Sequence, residues 1–164
     1  MQLGMIGLGR MGGNIVRRLL RAGHECVAFD ANAEVVAQLA QEGATGASSL
    51  DVLVGKLRAP RAVWLMLPHG PITESMIENL APRLAAGDVI LDGGNTFFQD
   101  DVRRAEELAK RGIEYLDVGT SGGVRGLERG YCLMIGGDQS AAQRLDPIFA
   151  ALAPGIGNID RTPH

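Results

Sequence analysis

Six residues near the start of the chain, Gly7-Leu8-Gly9-Arg10-Met11-Gly12, narrow the possible folds more than anything that follows. They come directly after an apolar run, Gln2 to Ile6, and open a segment that carries Met11, Ile15, Leu19 and Ala22 on one helical face and stops at Gly23. A glycine-rich turn between a strand and an amphipathic helix draws its meaning from that context. Gly7 permits the tight turn, Gly9 lets backbone approach a pyrophosphate, Gly12 lets helix and strand pack closely, and the helix N-terminus faces the anion. The competing reading, in a chain with 23 glycines, is a βα turn with no ligand.

The rest of the chain continues the same rhythm. Short apolar runs at 25–29, 62–67, 89–91, 113–118 and 132–135 read as strands, most of them uninterrupted, as expected where both faces of a sheet are covered. Between them, helical periodicity runs from Ala33 to Gln41, Pro71 to Leu84 and Gln99 to Arg111, each segment stopped by a nearby glycine. A last helix starts at Asp138 as N-cap and reaches Leu152, with Pro147 forcing a break or restart, and the tail after Pro154 has no pattern. The alternation predicts an α/β fold: a Rossmann-like, doubly wound, mainly parallel sheet with helices on both faces. At 164 residues a single nucleotide-binding domain, 1–164, fits the length, which is small for a complete two-substrate oxidoreductase.

Several functions are excluded. No apolar run approaches the roughly 20 residues a membrane span needs, and Leu3 to Leu8 is too short and too glycine-rich for a signal peptide, so a cytoplasmic location is expected. A net charge of -3 offers no basic field for nucleic acid. Cys26 and Cys132 lie inside strand-like runs without metal-ligand spacing, and both are expected as buried, reduced thiols; no metal is expected.

Asp30 follows the second strand at about the spacing where an acidic side chain accepts hydrogen bonds from the adenine-ribose hydroxyls of NAD. A 2'-phosphate would meet that carboxylate at a cost on the order of a few kcal/mol. Ala31, Asn32 and Ala33 supply no cation to offset it, so NAD is expected and NADP disfavoured. The alternative is that Asp30 only caps the next helix.

Two further segments, Asp92-Gly93-Gly94-Asn95 and Gly119-Thr120-Ser121-Gly122-Gly123, fall at carboxyl ends of predicted strands, where open α/β sheets bind ligands. With Leu67-Pro68-His69-Gly70-Pro71 and Gly136-Gly137, they give the chain a resemblance along its whole length to 6-phosphogluconate dehydrogenase, of the β-hydroxyacid dehydrogenase superfamily. Asp30-Ala31, where better-known NADP-using members have Asn-Arg, brings the resemblance nearest the short, NAD-using branch. The resemblance implies that Gly7, Leu8, Gly9, Arg10, Met11, Gly12 and Asp30 hold the cofactor, and that Leu67, Pro68 and His69 border its nicotinamide side. It also implies that Asn95 touches cofactor and substrate, and that Ser121, Gly122 and Gly123 hold oxygens of a sugar-acid phosphate. Ordinary turn chemistry is the alternative for Asn95 and Ser121. His69 is not assigned proton transfer; His24 reads as a turn residue, His164 as a terminal one, and Trp64 as core.

In the resembled family a lysine and a glutamate move the protons of an oxidative decarboxylation, and both belong to a helical second domain that would follow residue 164. That domain also carries the family's homo-oligomer contacts. Lys56, in a surface-like connection, and Lys110, in a helix's last turn, are the lysines here, so no catalytic residue is expected in this chain. Two other readings remain: a 3-hydroxyisobutyrate-type dehydrogenase, and a stand-alone, non-catalytic NAD-binding module.

Overall fold

The structure is a computed structural model and describes residues 1–155; the final part of the tail after Pro154, with His164, lies outside the described residues. The chain runs β1 (Gln2–Ile6), α1 (Arg10–Arg21), β2 (Glu25–Phe29), α2 (Ala33–Gln41), β3 (Thr45–Gly46), α3 (Leu50–Lys56), β4 (Ala62–Leu65) and α4 (Pro71–Leu80). It continues through β5 (Val89–Asp92), α5 (Phe98–Ala109), β6 (Glu114–Ser121), α6 (Gly126–Arg129), β7 (Cys132–Gly137), α7 (Gln139–Arg144) and α8 (Asp146–Leu152).

The seven strands form one sheet in the order β3-β2-β1-β4-β5-β6-β7, parallel except for β7, which pairs antiparallel with β6. The predicted fold class is what is observed. Successive strand residues face opposite sides, and both sides are covered. Leu3, Met5, Cys26, Ala28, Trp64 and Leu91 enter one core with α1 and α8, while Ile6, Val27, Val63, Leu65 and Ile90 enter the other with α3 and α4. That is why these strands read as unbroken apolar runs.

Differences from the sequence expectation have local causes. The run 62–67 leaves the ladder after Leu65, with one more bond from the Met66 N–H to the Ile6 carbonyl, because Pro68 brings no N–H. The strand expected to end at Val118 extends to Ser121, because β7 pairs along its far end from Leu116 to Ser121. Asp138 caps α7 through Oδ1, accepting from the Ser140 and Ala141 N–H groups at 2.8 and 3.0 Å, and Pro147 sits in the first turn of a new helix, α8. α3, read as a connection, is a two-turn helix that Ser49 caps through the Val52 N–H.

Cys26 is buried as expected, but Cys132 is exposed, because β7 is an edge strand covered poorly on both faces. Burial pushes the Cys26 thiol up to about 12, so it stays protonated and inert. In a disulfide-exchange assay the native chain is expected to release one thiol equivalent rapidly and the second only on unfolding. Two rapid equivalents would contradict the buried position of Cys26.

Candidate functional site

Strand order reverses between β1 and β4, and the crevice outside the carboxyl ends of those strands is where such sheets take ligands. The glycine turn lies there. Gly7 has φ +88°, and its N–H donates to the Phe29 carbonyl at 3.0 Å, tying the turn to β2. A methyl group on Gly12 would lie 1.9 Å from the Gly7 carbonyl oxygen, so helix and turn touch backbone to backbone.

Gly9 differs: its φ is an ordinary -58°, and a methyl group there would meet nothing within 4 Å. Nothing in the protein itself requires glycine at this position. No side chain caps α1 and no acidic residue occupies its first turn, so its N-terminus keeps a partial positive charge facing the crevice. An open approach at Gly9 beside an uncapped helix start is the donor set a pyrophosphate needs, and the residues fit a dinucleotide.

Asp30 sits at the carboxyl end of β2. Its Oδ2 accepts from the Leu8 N–H at 2.6 Å and its Oδ1 from the Asn32 N–H at 2.8 Å. The cap of α2 is Asn32, whose Oδ1 accepts from the Glu34 N–H at 2.9 Å, so Asp30 is not the cap of that helix. Asp30 instead clamps the glycine turn to the end of β2, a link that spacing alone does not reveal. Beside it lies a cleft of about 470 Å³ lined by Ala31, Val36, Ala37 and Lys56, and across Phe29 another of about 640 Å³ lined by Ile72, Met76 and Arg83. Lys56, expected in a surface-like connection, is in the last turn of α3, and its Nζ donates to the Gly46 carbonyl at 2.7 Å.

The loop after β4 carries Leu67, half-buried, and Pro68 and His69, both exposed. It meets the glycine turn and the loop after β5. A methyl group on Gly7 would lie 2.8 Å from Leu67 Cδ2, and one on Gly94 2.9 Å from the Leu67 carbonyl oxygen. Gly93 covers Trp64, whose buried Nε1 has no partner, leaving no room for a side chain. Asn95 is exposed at the top of this loop. The structure therefore brings the Gly7–Gly12 turn, Asp30, Leu67 and the loop leading to Asn95 together.

Ser121 is set apart from these. It lies four residues beyond the Asp92–Asp117 pairing, about 13 Å further along the strand, and is itself paired with Cys132. Gly119, Thr120 and Ser121 belong to the strand rather than to a loop, and only Gly122 and Gly123, with φ +154° and +51°, form the turn. The β6–β7 ribbon so extends past the carboxyl end of β5. Gly122 is packed against Tyr131 and Gly123 faces open space.

Among the described residues no helix is long and apolar enough to cross a membrane, and no cluster of three metal-ligating side chains occurs.

The chain is similar to known proteins. The family described as the NAD binding domain of 6-phosphogluconate dehydrogenase matches residues 2–159. An NAD(+)-dependent, decarboxylating 6-phosphogluconate dehydrogenase of Haloferax volcanii is 50% identical over 155 residues, covering 94% of this chain and 51% of that protein. Among solved structures, 6-phosphogluconate dehydrogenase of Plasmodium falciparum superposes with a TM-score of 0.89 at 27% identity, over 96% of this chain and 35% of that one. The 3-hydroxyisobutyrate dehydrogenase of Mycobacterium tuberculosis gives 0.85 at 25% identity, over 93% and 52%. The chain spans about half the length of the first curated relatives it matches. With the strand order, the glycine turn and this match in agreement, the chain belongs to the family of NAD-binding domains of 6-phosphogluconate dehydrogenase.

Proposed function

We propose that the chain is the NAD(H)-binding domain, 1–164, of an NAD-dependent oxidoreductase that decarboxylates 6-phosphogluconate. The observation that carries this is the uncapped start of α1 at Gly9, with Asp30 fastened beside it at the end of β2. Gly7, Leu8, Gly9, Arg10, Met11 and Gly12 hold the pyrophosphate, and Asp30 takes the adenine ribose and disfavours NADP. Leu67, Pro68 and His69 border the nicotinamide, Asn95 reaches both cofactor and substrate, and Ser121, Gly122 and Gly123 hold substrate oxygens. Bound there, NAD would supply the hydride acceptor for oxidation of the substrate alcohol. The chain's own residues bind and orient the two reactants, and the protons are moved by a lysine and a glutamate of a helical partner domain. The 50% identity to an NAD(+)-dependent relative supports the cofactor choice as well as the reaction.

The test joins residues 1–155 to the remaining half of the Haloferax volcanii relative. The chimera is expected to reduce NAD with 6-phosphogluconate and to evolve carbon dioxide. Turnover of 3-hydroxyisobutyrate instead would assign the chain to that branch of the superfamily.

A further inference from the structure

Asp92 closes β5 with 1% of its surface exposed. Its Oδ1 accepts from the Gly94 N–H at 2.9 Å, and its Oδ2 accepts from the Thr96 hydroxyl at 2.9 Å. These bonds fasten the loop on either side of Asn95. An Asx-type turn accounts for the first alone.

The same Oδ2 also accepts from Arg104 Nη1 at 3.3 Å and lies 3.0 Å from Tyr115 Oη. Arg104, on α5, is 2% exposed and places Nε and Nη2 on Glu74 Oε2 of α4 at 2.9 and 2.8 Å. Arg103 first, and Arg104 with it, hold the Glu74 carboxyl down at about 2. Tyr115 Oη lies 2.8 Å from Asp101 Oδ1 as well, so one hydroxyl proton faces two carboxyl groups. Burial first, with Asp117 and Asp92 adding to it, pushes the Asp101 carboxyl up against the hydrogen bond from Tyr115 that holds it down.

Desolvating such a pair offsets most of its attraction, and apolar residues of the same volume stabilise a core about as well. What apolar residues would not supply is a carboxylate held from three elements, α5, β6 and through Glu74 α4, at a fixed point under the loop. We propose that Asp92 is the positioning residue for Asn95, with Arg104 and Tyr115 fixing the carboxylate that ties Gly94 and Thr96. The part played by Asn95 in cofactor binding rests on the proposed function; the tie to the loop does not.

Thr96→Val tests it, since it removes one loop bond and leaves the Asp92–Arg104 pair in place. In the ligand-free chain, amide exchange at Gly94, read by NMR, is expected to rise roughly tenfold and to return with Thr96→Ser. Unchanged exchange at Gly94 overturns the proposal whether or not nucleotide binds. In NADH titrations Thr96→Val is expected to weaken binding roughly fivefold, but to add nothing once Asn95→Ala is present, because the tie acts through Asn95. Losses that simply add would make the cluster a support of the fold alone and overturn the positioning role. A Gly94 response in Thr96→Val, together with a wild-type chain that does not bind NADH, supports the tie and contradicts the proposed function instead.

Discussion

Gly12→Ala is expected to abolish NADH binding and to destabilise the chain by about 3 kcal/mol or more, whereas Gly9→Ala is expected to abolish binding with its melting temperature unchanged. The two glycines differ in what surrounds them. A methyl group at position 12 would stand 1.9 Å from the Gly7 carbonyl oxygen, a backbone atom that can retreat only by pulling the turn away from Phe29, to which Gly7 is bonded. At position 9 the methyl group meets no protein atom within 4 Å, and the backbone angle suits any residue. It would occupy the path by which a pyrophosphate reaches the first N–H groups of α1. Thermal unfolding and calorimetric titration of both variants check this. A Gly9→Ala chain that binds NADH like the wild type would move the ligand off the glycine turn.

How far the sequence foretold the fold depended on where each element's signal resides. β4 is apolar throughout, and β1, β2 and β5 are apolar apart from Gln2, Glu25 and Asp92 at their ends, because both faces are buried, and that pattern survives in one dimension. α3 is faint in the sequence because it has only seven residues with Gly55 among them; its signal is the Ser49 cap with Asp51 in the first turn and Lys56 in the last. β3 is two residues long and exists only through its pairing with Val27 and Ala28. The extension of β6 and the exposure of Cys132 follow from β7 being an antiparallel edge strand, a fact of sheet order that no local pattern encodes.

The candidate site divides in the same way. The glycine turn and Asp30 are contiguous signals tied to a strand end, and they could be read directly. The bond from the Leu8 N–H to Asp30, the cleft that Lys56 lines, and the bonds of Asp92 to Arg104 and Tyr115 join separate elements, the bonded pairs lying 12 to 23 positions apart, and only folding brings them together. Asp92 stood in the recognised Gly-Gly-Asn segment but had no visible partner until α5 placed Arg104 behind it.

Selection between NADH and NADPH is the other effect expected to be large. Asp30 holds two backbone N–H groups, from Leu8 and Asn32, so its carboxylate is fixed at the end of β2 and cannot swing away from a 2'-phosphate. A repulsion of a few kcal/mol is expected to make NADPH bind roughly a hundredfold more weakly than NADH. Lys56 lines the adjoining cleft, with its ammonium group engaged by the Gly46 carbonyl, and is the cation in that lining that could hold the phosphate once the carboxylate is gone. Asp30→Asn keeps an oxygen for one backbone N–H and is expected to narrow the preference to roughly tenfold or less.

The most direct measurement is a calorimetric titration of the dialysed wild-type chain with NADH and with NADPH in the same buffer. Saturable one-site binding of NADH, with NADPH weaker by about two orders of magnitude, is the predicted result. Binding of NADPH as tight as that of NADH would contradict the role of Asp30, and no binding of either would contradict the dinucleotide site itself.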